Sequence, residues 1–209
     1  MAKISKYNYS LIKRILDLLF PLLILLLLLP ISITVVLIEC FFRGLIIFQQ
    51  ERVGKGTREF TIYKFRTMKL NSEKIQKKYL FLNKADGPVF KIRNDPRFTR
   101  FGKLLSQTGL DELPQFINVL KGEMSLVGPR PLPVYEFKKL SKFHKNRNLI
   151  KPGITSLWVV NGSHNLSFNK WMRLDKKYVE EANLLMDIEI ILKTSLIPIK
   201  VLINFVFNK

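Results

Sequence analysis

Asp111 and Glu112 stand side by side in the stretch TGLDELPQFINVLKGEMSLVGPRPLP, residues 108–133, which closes on Arg130 held between Pro129 and Pro131. Two carboxylates and a guanidinium are groups with which a protein handles phosphate. A carboxylate can act as a nucleophile or hold a divalent cation, and an arginine can grip a phosphate through two parallel hydrogen bonds. Leu113, Phe116, Ile117 and Leu120 recur at the spacing of one apolar helical face. The acid pair therefore reads as the start of a helix, with Thr108 as N-cap, Pro114 in the first turn and Lys121-Gly122 as the stop. Free N–H groups and the positive dipole end favour an anion there and keep a carboxylate ionised. Acids in a first helical turn are also ordinary partners of the dipole, and spacing alone favours that plainer reading.

Further cations precede the pair. Lys64 and Arg66 alternate with Tyr63 and Phe65, so one side of a strand could present two positive charges while the other packs. A solvated edge strand has the same pattern. Arg93, Arg97, Arg100 and Lys103 follow, a field attractive to a diphosphate or simply a basic surface. His144 has no partner motif and reads as a surface residue.

The elements that must position these groups are legible in part. Short strands are expected at residues 46–50 and 60–65, joined across Gly54-Lys55-Gly56, and at 89–92. Helices are expected at residues 99–106, 135–144 (basic and amphipathic) and 171–183, and a turn at Asn161-Gly162. Residues 69–84 read as a solvated helix and loop. Residues 18–38 carry no charge, roughly 30 Å of helix and enough to cross a bilayer core. That run is long for a signal peptide and no small-residue cleavage site follows it. Pro30 should kink it. Lysines and arginines flank it on both sides, so the positive-inside tendency draws both ends to one face, and a simple span and a dip that returns stand about even. Residues 187–207 are apolar but interrupted, and fit an interfacial helix or a buried core helix equally.

The chain has 209 residues, a net charge of +19, one cysteine and two histidines. The length suits one domain with a real core. The charge points to nucleic acid, an anionic membrane surface or phosphorylated substrates. One cysteine rules out an internal disulfide, and the distant histidines argue against structural zinc. The basic residues form no single stripe and no nucleic-acid motif accompanies them, so nucleic acid is not expected as a partner.

LDELPQFINVLKGEMSLVGPRP, together with YKFRTM at 63–68, DPRFTRFGK at 95–103 and KPGIT at 151–155, resembles the bacterial sugar transferases, the monotopic phosphoglycosyl transferases. The resemblance runs from about Lys13 to about Lys193. It implies an α+β, mainly helical fold: a re-entrant membrane helix broken at Pro30 (residues 1–44), then a cytoplasmic catalytic domain (45–209) with a small β-hairpin and amphipathic interfacial helices. It implies transfer of a sugar-1-phosphate from a UDP-sugar donor to polyprenyl (undecaprenyl) phosphate, releasing UMP, on the cytoplasmic face of a bacterial inner membrane. Asp111 would be the nucleophile, forming an aspartyl-phosphate-sugar intermediate. Glu112 would assist, and both would hold Mg²⁺. Arg130, Lys64, Arg66 and Arg100 become substrate contacts, membrane lipid a partner, and a homodimer stays open. Three departures stand against the family pattern: Leu29-Pro30 for a Ser-Pro break, Ser106 and Gly109 for an arginine and a serine before the nucleophile, and Ser156–Val160 within the motif that ends on Asn161-Gly162. They motivate an alternative, a weak or inactive member that binds lipid-linked glycan intermediates or partners.

Overall fold

The first helix is built inside out. In the computed structural model, which describes residues 3–43, 47–83, 86–90, 92, 94–162 and 165–207, α1 (Leu11–Leu27) buries Lys13, Asp17 and Pro21 and turns its leucines outward. Ser10 caps it, its hydroxyl oxygen accepting from the Lys13 N–H. Lys13 ends on Asp187 Oδ2 at 2.5 Å and also reaches the Val127 carbonyl and the Tyr178 hydroxyl, both at 3.0 Å. Asp17 accepts from the Ser125 hydroxyl and the Leu126 N–H. Buried charge persists only when paired, and here the pairing ties α1 to the rest of the fold.

The break falls at Leu28, whose backbone leaves the helical region, and α2 (Leu29–Arg43) begins one residue before Pro30. The proline therefore occupies a first turn, where its missing N–H costs nothing, and the kink lies just ahead of it. Residues 11–27 and 29–37 meet at 59°; no single helix among the described residues is long and apolar enough to cross a membrane, whereas the bent pair together passes on length and composition.

The hairpin forms as expected. β1 (Ile47–Val53) pairs antiparallel with β2 (Glu59–Phe65) around Gly54-Lys55-Gly56, Gly56 at φ +62°; Ile46 lies outside the described residues. No strand forms at Val89 and Phe90, which sit in a bend and an irregular stretch, and Lys91 is outside the described residues. Residues 69–83 give only turns and a 3₁₀ helix at Gln76–Leu82; Lys84 lies outside the described residues.

α3 (Arg100–Thr108) is capped by Thr99 and stopped by Gly109 at φ +73°. A 3₁₀ turn, Leu110–Glu112, connects it to α4 (Gln115–Lys121), which ends on Gly122 at φ +82°. β3 (Ser125–Val127) then pairs in parallel with β4 (Gly153–Thr155). The predicted helix at 135–144 is two pieces, α5 (Val134–Phe137) and α6 (Lys142–Lys145), because Ser141 caps a fresh start with its side chain. α7 (Leu157–Val160), α8 (Phe168–Glu181) and α9 (Leu184–Phe207) complete the fold, which is mainly helical α+β.

The core gathers Phe65, Leu105, Leu113, Phe116, Leu126, Tyr178 and Ile190. A second cluster packs Trp158 on Trp171 at 4.6 Å with Phe168, Val53 and Leu132. α9 buries Ile190 and leaves Leu192, Leu196 and Ile199 exposed, so it is not a wholly buried core helix.

Candidate active site

Asp111 and Glu112 lie in the 3₁₀ turn between α3 and α4, and not at the start of a long helix. Thr108 is the last residue of α3 and not an N-cap; its hydroxyl donates back to Leu104 and Leu105 carbonyls. The apolar face is also shifted. Leu113, Phe116 and Val119 are buried, whereas Ile117 is 46% exposed. A short α4 entered through a 3₁₀ turn rotates the face relative to a continuous helix.

The turn places the carboxylates against the hairpin. Lys64, on β2, puts Nζ 2.5 Å from Glu112 Oε1 and 3.5 Å from Asp111 Oδ2. Asn118 of α4 fixes this strand, accepting from the Tyr63 N–H and donating to the Thr61 carbonyl. Arg130 Nη2 donates to Glu112 Oε1 at 3.1 Å from the far side. Asp111, Glu112, Lys64 and Arg130 are thus brought together. Arg66 follows the strand with its guanidinium 5.9 Å from the Phe48 ring centroid. Arg100 is exposed in the first turn of α3. Of the other expected cations, Arg97 is buried on Asp95 and the Ser72 carbonyl, Lys103 is exposed, and Arg93 lies outside the described residues. His144 packs edge-on against Phe168 and Phe143; His164 lies outside the described residues.

The electrostatics divide the pair. Burial pushes the Asp111 carboxyl up to about 6, with Lys64 opposing and Glu112 adding to the rise. Burial works the same way on Glu112, but Lys64 and Arg130 outweigh it and hold that carboxyl at about 2. The expectation that a helix dipole keeps a carboxylate ionised is corrected: Lys64 and Arg130 do so for Glu112, and offset the burial of Asp111 only in part. Such separation of neighbouring carboxyls is how a site assigns different roles to like groups. Gly109, one of the departures, has a backbone reason, because φ +73° suits glycine.

Sequence reasoning missed the shell that aims Arg130. Arg147 Nη2 donates to the Arg130 carbonyl at 2.7 Å and lies 2.7 Å from Asp175. Arg52 Nη1 donates to the Pro131 carbonyl, and burial beside Arg130 lowers its pKa to about 10. The Arg130 guanidinium sits 5.9 Å from the Trp158 ring centroid. Below the turn, β3 and β4 press backbone on backbone: a Cβ at Gly153 would lie 2.1 Å from the Gly128 N. The paired motifs GPRP and KPGIT form one support. Only the alternation of Arg52 with its strand neighbours could have hinted at this.

Among the described residues no three His, Cys, Asp or Glu gather as metal ligands. Of the two carboxylates, Asp111 is the one with charge left to offer Mg²⁺. Glu112 is already occupied by Lys64 and Arg130, and Asp111 is only partly compensated. A hard, oxygen-preferring ion taking one or two carboxylates, with substrate phosphates and water supplying the rest, suits that donor set.

An acid pair flanked by a lysine from the hairpin and an arginine from a proline-stiffened turn is an arrangement suited to phosphate chemistry. The chain matches the bacterial sugar transferase family over residues 8–201 and belongs to it. It is similar to the galactosyl transferase CpsE of Streptococcus agalactiae serotype III (strain NEM316), 43% identical over 193 residues, 92% of this chain and 43% of that protein. It is 35% identical over 205 residues to the undecaprenyl-phosphate galactose phosphotransferase of Salmonella typhimurium, 94% of this chain and 42% of that one. With the exopolysaccharide production protein ExoY of Sinorhizobium fredii it shares 34% identity over 187 residues, 87% of this chain and 83% of ExoY. The chain therefore spans less than half the length of the first two relatives and most of the third.

Proposed function

We propose that this protein moves a sugar-1-phosphate from a UDP-sugar to polyprenyl phosphate. The observation that carries this reading is the unequal acid pair: Glu112 is committed to Lys64 and Arg130, which leaves Asp111 as the carboxylate available to react. An Asp111 oxygen attacks the sugar-side phosphorus, and the bond to the UMP phosphate breaks with UMP leaving on its electron pair. A polyprenyl phosphate oxygen then attacks the same phosphorus and Asp111 leaves as carboxylate, a ping-pong sequence. Lys64 and Arg130 meet charge that develops on the transferred group, with Arg66 and Arg100 as outer contacts. Mg²⁺ at the pair, held through Asp111, would neutralise the diphosphate and ease departure of UMP. Names of relatives that carry undecaprenyl-phosphate transfer support the acceptor class.

The same proposal covers location. Residues 1–44 dip into one leaflet and return at the Leu28 bend, with residues 45–209 on the cytoplasmic face of a bacterial inner membrane. The outward leucines of α1, the 59° bend and the exposed face of α9 support this reading, since contiguous apolar surface of that kind marks a lipid or protein contact. The test is UMP release by purified protein in nanodiscs across a panel of UDP-sugars, with Mg²⁺ and undecaprenyl phosphate. Release that requires the lipid and is lost in Asp111→Asn is the expected result. Release that persists in Asp111→Asn removes the nucleophile, and no release with any donor from folded protein favours a binding-only relative.

A further inference from the structure

A second cationic cavity, of about 210 Å³, lies beside the start of α1 and shares no residue with the acid-pair site. Arg14, Lys55 and Lys151 bring three positive charges to its wall, with Tyr9, Lys13 and Asp17. Lys13 is spent on Asp187, and Asp17 accepts from Ser125 and Leu126 through Oδ1 alone. Arg14 is positioned from within, Nη1 and Nη2 each donating at 3.1 Å to the carbonyls of Val119 and Leu120 at the end of α4. Lys55 rests over the Tyr9 ring at 4.4 Å, and the Tyr9 hydroxyl is itself tied to the Leu149 carbonyl at 3.0 Å. Lys151 is half-buried and has no hydrogen bond or ion pair among the described residues.

The heads of Arg14 and Lys151 converge. Both approach the point where a side chain at Gly122 would begin, Lys151 Nζ at 3.5 Å and Arg14 Nη2 at 3.6 Å. Like charges held close in a partly desolvated recess repel unless an anion lies between them. Burial and the neighbouring Arg14 accordingly lower the Lys151 pKa. A plain basic surface would spread its lysines into water; here one cation is anchored on carbonyls, one is held on a ring, and one is left unpaired.

We propose that this cavity is a phosphate-binding site distinct from the Asp111 centre, taking a phosphate or diphosphate group from a lipid headgroup or from solution. Three cations against the single carboxylate of Asp17 leave a positive excess that suits a multiply charged oxyanion, and the KPGIT lysine acquires a role that the transfer chemistry leaves open. The site stands on its own geometry and does not depend on the reaction proposed above.

The test is competitive acylation of lysine amines, read by mass spectrometry on the full chain in dodecyl maltoside, a detergent without phosphate. Inorganic pyrophosphate at constant ionic strength is expected to slow acylation of Lys151 at least about threefold, the value for two-thirds occupancy of one site, while exposed Lys6 is unchanged. Phosphatidylglycerol nanodiscs are expected to slow Lys151 beyond any slowing at Lys6. Protection by pyrophosphate assigns phosphate from solution, and protection in nanodiscs alone assigns a lipid headgroup. Lys55→Gln, outside the acid-pair site, is expected to weaken whichever protection is seen. Equal Lys151 rates in all three conditions would overturn the proposal, as would slowing that Lys6 matches.

Discussion

At the residue scale, Asp111 carries two opposite consequences of one environment. As a nucleophile it must be ionised, so kcat/KM for UMP release is expected to climb about tenfold per pH unit below the Asp111 pKa and to level above about 6. Lys64 is the main charge holding that value down, and Lys64→Met is expected to move the limb to higher pH. The same raised pKa opposes folding. Below about pH 4 the group is protonated in the folded and unfolded chains alike and contributes nothing. As pH rises toward 6 the unfolded chain loses its proton first, so stability falls, and the full penalty of about 3 kcal/mol at most is present above 6. Coupling to Glu112, whose shift runs the other way, trims it. Asp111→Asn is therefore expected to melt a few degrees higher than the wild type at about pH 8 and to lose that advantage near pH 4, by calorimetry at both values. An inactive variant that is more stable is the mark of a site held against its own folding preference. The acid pair, Lys64 and Arg130 were legible in the sequence because each belongs to a motif with a chemical reading. Arg52 and Arg147 were not, because their work is to hold a turn distant in the chain, and nothing in residue type announces that.

At the element scale, the junction between α3 and α4 decides where the carboxylates point. Periodicity read one apolar face from Leu113 to Leu120, and entry through the 3₁₀ turn shifted it, burying Val119 and exposing Ile117. Local pattern sees spacing but not the extra rotation that a tighter helix introduces. The junction is held from behind by α3, which lies against the residues following β2. A Cβ at Gly102 would meet the Thr67 carbonyl oxygen at 1.9 Å, and the Thr99 N–H donates to that same oxygen. Because the obstacle is backbone, Gly102→Ala forces α3 away from the strand that carries Lys64. A loss of about 3 kcal/mol is expected, measured by urea unfolding, together with weakened UMP release. The hairpin, by contrast, was readable, since glycine turn chemistry and strand propensity coincide there, although β1 runs three residues past the expected Gln50.

At the scale of the whole molecule, the fold turns its apolar residues outward along α1 and part of α9 while keeping charge inside. Composition could report an apolar run but not that Lys13 and Asp17 would be swallowed while Leu19 and Leu26 faced out, 63% and 72% exposed. Leu19→Glu with Leu26→Glu is expected to abolish co-flotation with phosphatidylglycerol vesicles without lowering the melting temperature in detergent, because neither side chain packs inside. Asp187→Asn should do the reverse. It leaves Lys13 without its charged partner in a buried site, a loss of about 3–5 kcal/mol, visible as a lower melting temperature in detergent.

The Lys13–Asp187 pair joins residues 174 positions apart. At a translation rate of about 5–20 residues per second, Lys13 waits on the order of ten seconds or more for its counter-charge to be made. Throughout that interval an inside-out helix has its cation unpaired and its leucines uncovered. A lipid surface present during synthesis can shelter the leucines at once, whereas the charge can be settled only when α9 arrives. On the membrane location proposed above, engagement would come before the Lys13–Asp187 pair closes, and α9 would act as the clasp that seats α1.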